Sequence, residues 1–138
     1  MTGLVKTHRQ LIDEANAVIE TIPTQTAIEL FGNDDVVFVD LRDPRELERE
    51  GMVPGAFHAP RGMLEFWIDP SSPYFKEVFG SGKQFVFYCQ SGWRSALATK
   101  TVQDMGLSPV AHIQGGFRAW HEAGGPVGAP PTPKSRTP

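Results

Sequence analysis

The chain has one cysteine among its 138 residues. That excludes an internal disulfide, and nothing else points to an oxidising compartment. No stretch approaches the ~18 apolar residues that a membrane span requires. The opening segment MTGLVKTHRQLIDEANAVIE has no apolar run behind a basic one, so it does not read as a signal peptide. The expectation is a cytoplasmic protein with no membrane partner. Basic charge is also sparse: 13 Lys and Arg against 16 Asp and Glu give a net charge of −3. Apart from Lys134 and Arg136 in the tail, the basic residues are scattered, which excludes the basic stripe of a nucleic-acid-binding surface. Four histidines and one cysteine show no metal-ligand spacing, so neither a metal nor another cofactor is expected. There is no internal repeat.

What is present is an alternation of strand-like and helix-like segments, which predicts an α/β fold with a mainly parallel sheet and helices on both faces. Residues 7–20 read as an amphipathic helix, with Thr7 and Gln10 as a capping box and Leu11, Ile12, Ala15, Val18, Ile19 and Ile22 as its apolar stripe. Pro23 stops it, and a short helix TQTAIELF follows, ended by Gly32. VVFVD (36–40) is a continuous apolar run, as expected of a strand buried on both faces. Asp43, Pro44 and Glu46 then supply an N-cap, a first helical residue and a reciprocal cap. VPGAFHAP (53–60) reads as a turn into a short strand. Residues 61–82 are irregular but rich in Met63, Leu64, Phe66, Trp67, Tyr74 and Phe75, so they must pack on the body, either in its core or over a site. QFVFY (84–88) is a second buried strand. A helix over 93–105 follows with Leu97, Ala98, Thr101, Val102 and Met105 on one face, then a strand VAHI and a last short helix. The division predicted is an N-terminal helical extension (1–20), one α/β domain (21–127) and a Pro-rich flexible tail (128–138).

Cys89 sits where a buried strand runs out at its carboxyl end, the usual place for a site in an open α/β sheet. The next residues, Gln90, Ser91, Gly92, Trp93, Arg94 and Ser95, lead directly into a helix N-terminus. Backbone amides in such a loop form a nest for an anion, reinforced by the helix dipole, and in that setting thiolate is favoured over thiol. Gly92 can adopt the positive φ of a tight loop, and Arg94 brings a guanidinium fork suited to oxyanions. Burial alone accounts for many single cysteines, but it gives no reason for the glycine and arginine that follow.

CQSGWRS resembles the C-x-x-x-x-R active-site loop of the rhodanese family. VVFVDLRDPRELEREGMVPGAFHAP is similar to that family's N-terminal signature, although Met52 stands where the turn usually carries histidine. IQGGFRAWHEAGGPV resembles its C-terminal Gly-Gly-x-x-x-Trp signature, and the three motifs span about residues 21–127 in the family's order. The resemblance implies a rhodanese-like three-layer fold with an added N-terminal helix. It also implies a sulfurtransferase that carries sulfur on Cys89 as a persulfide. The donor would be thiosulfate or another small anionic sulfur compound; the acceptor would be cyanide, a thiol or a thioredoxin-like protein. Cys89 would be the nucleophile, Arg94 would attract the donor or stabilise the loop, and Gln90, Ser91, Gly92, Trp93 and Ser95 would form the anion-binding loop. Related dual-specificity phosphatases have one more residue between cysteine and arginine, a wider cradle that fits phosphate. The four residues here therefore favour sulfur over a phosphatase or arsenate reductase. A non-catalytic rhodanese-like module is a further alternative, and the intact Cys89 and Arg94 argue against it.

Other residues read as structural: Asp40, Arg42 and Glu46 as strand-end and capping partners, His58 and His112 as satisfied strand histidines. Trp67, Phe66 and Trp120 read as core, and Arg61 and Lys83 as solvated charges. Trp93 lies inside the loop, where pocket wall and plain packing are equal readings.

Overall fold

The computed structural model describes residues 3–131. Five strands form one parallel sheet in the order β1-β5-β4-β2-β3, with β1 at Thr21–Ile22, β2 at Val36–Asp40, β3 at Phe57–His58, β4 at Gln84–Tyr88 and β5 at Val110–Ile113. The two apolar runs read as doubly buried strands lie side by side in the interior of the sheet, with Val36 opposite Gln84 and Asp40 opposite Tyr88. Among the described residues there are six α-helices: α1 (His8–Val18) before β1, α2 (Thr24–Leu30), α3 (Pro44–Glu50), α4 (Leu64–Ile68) and α5 (Trp93–Asp104) between strands, and α6 (Gly116–Glu122) after β5. Among the described residues no helix is long and apolar enough to cross a membrane.

The period-two alternation of each strand sorts its side chains between two cores. Val39, Phe85, Phe87 and Val110 face a cluster that includes Ala98 and Val102 of α5 and Leu64 and Ile68 of α4. Phe38, Val86, Tyr88, Ala111 and Ile113 face the other side, with Ala27 of α2 and Phe117 and Trp120 of α6. Local signals start the helices as read. Thr7 and Gln10 cap α1 reciprocally, and Asp43 and Glu46 do the same for α3, with Pro44 in its first turn.

Several expectations are corrected. β1 is a strand where the chain was read as the end of one helix and a break before the next, so Ile22 lies on β1 and not in the α1 stripe; two residues pairing on an edge leave no periodic signal. The stripe of α5 is wider than expected: Ser95, Ala96, Ala98, Thr99 and Val102 are buried, whereas Met105 is 46% exposed. The cause is α1, which packs Ile12 and Ala15 on Ala96, so α5 is covered from two sides. On α1 itself Leu11 and Val18 point to solvent, leaving Ile12 and Ala15 as its buried residues. Residues 61–82 are not irregular throughout. They contain α4 and two short 3₁₀ turns, with Leu64, Ile68 and Phe79 buried in the α5-side core. Trp67 packs edge-on against Phe57, but Phe66 is 53% exposed and is not core. Of the tail, Gly128 pairs with Met52 through both backbone hydrogen bonds, and residues 132–138 lie outside the described residues.

Candidate active site

Cys89 continues the alternation of β4 by one residue, so its side chain turns to the α5 face with Phe85 and Phe87. There it meets the start of α5. Gly92, the N-cap residue of α5, has φ 112° and offers the helix no side-chain cap. The sulfur fills that role. The amide of Gly92 donates to Sγ at 3.2 Å and the amide of Ser95, in the first turn, donates at 3.4 Å. Two orphan donors of a helix N-terminus thus converge on the sulfur of the one cysteine, which is the arrangement that stabilises negative charge at that atom.

The loop is held from below by α6. The amide of Phe117 donates to the Cys89 carbonyl at 2.8 Å and that of Arg118 to the Gln90 carbonyl at 3.1 Å. So close an approach explains Gly116, the first residue of α6. A Cβ on Gly116, whose φ is 63°, would lie 2.6 Å from the Cys89 oxygen and 2.7 Å from the Gln90 carbonyl. The side chain of Gln90 turns away from the sulfur and accepts from Arg42 Nη1 at 3.2 Å. Arg42 is fully buried, paired with Asp40 at 2.8 Å, donating to the Gly51 carbonyl and lying 4.3 Å from the Phe117 ring centroid. Asp40 and Arg42 are therefore scaffold beneath the loop, as read. His58 Nε2 lies 2.6 Å from the Arg42 carbonyl oxygen and serves the same scaffold.

The sequence left Arg94 either to attract the donor or to stabilise the loop. Its fork is bidentate on Glu46, Nη1 to Oε1 at 2.7 Å and Nη2 to Oε2 at 2.9 Å. Glu46 both caps α3 and ties α3 to the start of α5 beside the Cys89 loop. The hydrogen bond from Arg94 holds the Glu46 carboxyl down to about 2, against an ordinary value of 4.5, and the same bond raises Arg94. At neutral pH the pair is fully ionised and its charges cancel.

His112 was read as a satisfied strand histidine. It is satisfied, but by the site. Alternation along β5 turns it to the α5 face, where Nδ1 lies 2.9 Å from Ser95 Oγ, and Ser95 Oγ lies 3.6 Å from Cys89 Sγ. On its other side Nε2 lies 3.0 Å from Thr21 Oγ1 and 3.1 Å from Asn16 Oδ1. Burial lowers His112 to about 4, so the ring is neutral at physiological pH. No sequence signal joins β5 to α1 and β1, because Asn16 and Thr21 precede His112 by about ninety residues. Trp93 packs in neither of the two sheet cores. It is 47% exposed, with its indole against the His8 ring at 5.0 Å and the Arg9 guanidinium at 5.3 Å. It walls a cleft of about 390 Å³ between α1 and the loop, which Ser91, Gly92, Asn16, Thr21 and His112 also line.

Residues 24–123 match the rhodanese-like domain family. A protein of Allochromatium vinosum named sulfurtransferase is 32% identical over 101 residues, covering 73% of this chain and 86% of that one. An uncharacterised protein of Synechocystis is 35% identical over 107 residues, 78% of this chain; the chain spans only 55% of that relative's length. Among solved structures, a Rhodopseudomonas palustris protein of unknown function, described as a possible tyrosine phosphatase, is 58% identical with a TM-score of 0.90, covering 93% of this chain and 98% of that one. A rhodanese-related protein of Thermoplasma volcanium, 23% identical with a TM-score of 0.65 over 80% of this chain and 99% of that one, shares the fold. The helix α1 precedes the matched residues. With its cysteine cradle at the end of a central parallel strand and its glycine pair beneath the loop, the chain belongs to the rhodanese-like domain family.

Proposed function

We propose that the protein is a sulfurtransferase working through a Cys89 persulfide. The observation that carries this reading is the convergence of the Gly92 and Ser95 amides on Sγ. A Cys89 thiolate attacks the outer sulfur of thiosulfate or a related anionic donor. The sulfur–sulfur bond of the donor breaks, sulfite leaves with the bonding pair, and the transferred sulfur carries the negative charge. Cyanide, a small thiol or a thioredoxin-like protein then attacks that outer sulfur and releases the thiolate, so one transfer becomes two steps. The loop amides stabilise the anionic sulfur throughout.

The description of the R. palustris relative makes phosphatase chemistry the second reading. Two features speak for sulfur. The loop has four residues between Cys89 and Arg94, and the Arg94 fork that a phosphoryl group would need is occupied by Glu46. The test is intact mass after incubation with thiosulfate, then after cyanide. The expected result is a gain of one sulfur atom, lost with cyanide and absent in Cys89→Ser. No gain, with turnover of an aryl phosphate instead, overturns the proposal.

A further inference from the structure

A buried thiol that must become a thiolate needs somewhere to send its proton, and the amide face of the loop contains only donors. Behind the sulfur the polar atoms run in one unbroken file: Cys89 Sγ to Ser95 Oγ at 3.6 Å, Ser95 Oγ to His112 Nδ1 at 2.9 Å, and His112 Nε2 to Thr21 Oγ1 at 3.0 Å. Ser95 and His112 are buried, whereas Thr21 and Asn16 are exposed and line the cleft under Trp93. The file therefore begins at the nucleophile and ends at solvent. It draws on α5, β5 and the α1–β1 segment, and so on residues that precede those matched by the family.

We infer that Ser95, His112 and Thr21 form a proton path that sets the charge state of Cys89, with His112 as its positioning residue. The inference rests on Cys89 being the nucleophile. In the thiol state the sulfur donates to Ser95 Oγ, Ser95 donates to Nδ1, and the ring carries its proton on Nε2, shared between Thr21 Oγ1 at 3.0 Å and Asn16 Oδ1 at 3.1 Å. On ionisation the S–H bond breaks and that proton joins Ser95 Oγ. The serine's own proton moves to Nδ1, the Nε2 proton moves to Thr21 Oγ1, and the proton of Thr21 leaves to water in the cleft. The serine hydroxyl then donates to the thiolate, and the ring, now protonated on Nδ1, donates to the serine. The ring remains neutral in both states, which suits a histidine that burial keeps from taking a second proton. The titratable and charged groups that line the cleft or flank the loop are Arg9 and Asp13 of α1, His8 beside Trp93, and Arg94 with its partner Glu46; Glu14 of α1 pairs with Lys6, and Lys100 of α5 with Asp104.

Heteronuclear NMR of the imidazole nitrogens across the Cys89 titration tests this without any sulfur donor. The expected result is a switch of His112 from the Nε2–H to the Nδ1–H tautomer as Cys89 ionises, and no such switch in Ser95→Ala. In His112→Leu, alkylation of Cys89 by iodoacetamide slows about tenfold at neutral pH, as loss of one hydrogen bond to a charged group allows, and recovers at high pH. The same substitution in the Ser95→Ala background has no further effect. One unchanging tautomer through the titration, or a switch that survives Ser95→Ala, overturns the inference. If the tautomer switches while thiosulfate adds no sulfur, the sulfur-transfer reading falls and the proton path stands.

Discussion

A single methyl group at Gly116 would collide with the carbonyls of Cys89 and Gln90, the two groups that α6 uses to hold the loop. Gly116→Ala is therefore expected to cost about 2 kcal/mol in urea unfolding, from the close contact and the positive φ together. It should also lower sulfur loading of Cys89 more than its stability loss explains, because the displaced backbone is the active loop itself. Glu46 offers a second prediction at this scale. Its carboxyl is held at about 2 in the folded chain, so its contribution is complete above its ordinary value of 4.5 and is lost as pH falls toward 2. Arg94 is 41% exposed, so solvent screening reduces that contribution to roughly 1 kcal/mol. Glu46→Gln is expected to lower stability by roughly 1 kcal/mol above about pH 4.5 and to change it little near pH 2, so the acid limb between those values flattens in thermal melts. An unchanged acid limb would show that the ion pair contributes nothing. The capping role of Glu46 was legible from Asp43-Pro44-x-Glu46, because a cap is a contact within one turn. Its bond to Arg94 was not, because the two lie 48 residues apart.

At the scale of elements, α1 is the piece whose place the sequence left most open. Its capping box and apolar spacing announce a helix, yet nothing local says what the helix covers. It lies along α5, with Ile12 and Ala15 against Ala96, and with His8 and Arg9 against Trp93. Ile12→Ala should cost about 2–3 kcal/mol, the usual range for emptying a buried aliphatic site. Hydrogen exchange should then locate the loss in residues 8–18 and in the first turn of α5. Protection unchanged in α5 would mean that α1 folds against it without supporting it. The burial of α5 on two sides also explains why its face was misjudged. A helix pressed by a sheet and by another helix keeps small residues such as Ser95, Ala96, Ala98 and Thr99 inside, and these carry no hydrophobic signature.

For the whole molecule, acid stability should fall in two stages. His112 sits at about 4 when folded and has an ordinary value of 6.5. Between those values the unfolded chain binds a proton that the folded one refuses, so stability drops as pH falls from about 6.5 to 4, by an amount on the order of 2–3 kcal/mol. Glu46 then governs the lower stage. His112→Gln, which keeps a polar neutral side chain on β5, should remove the upper stage and leave the lower, as read from melting temperature against pH. Sequence alone determined the strands β2 and β4 and the starts of α1 and α3, though not β1 or α4. Continuous apolar runs specify buried strands, caps specify helix starts, and a cysteine at a strand end before a glycine and a helix places its sulfur beside the helix's first amides; each depends on neighbours within a few residues. The tertiary structure decided which charges are free and which side chains meet. It gave Arg94 to Glu46 and set His112 behind Cys89 through Ser95. It also brought Asn16 and Thr21 to the far side of that ring. Those partners are joined by strand order and helix packing, which bring distant segments together without leaving any pattern along the chain.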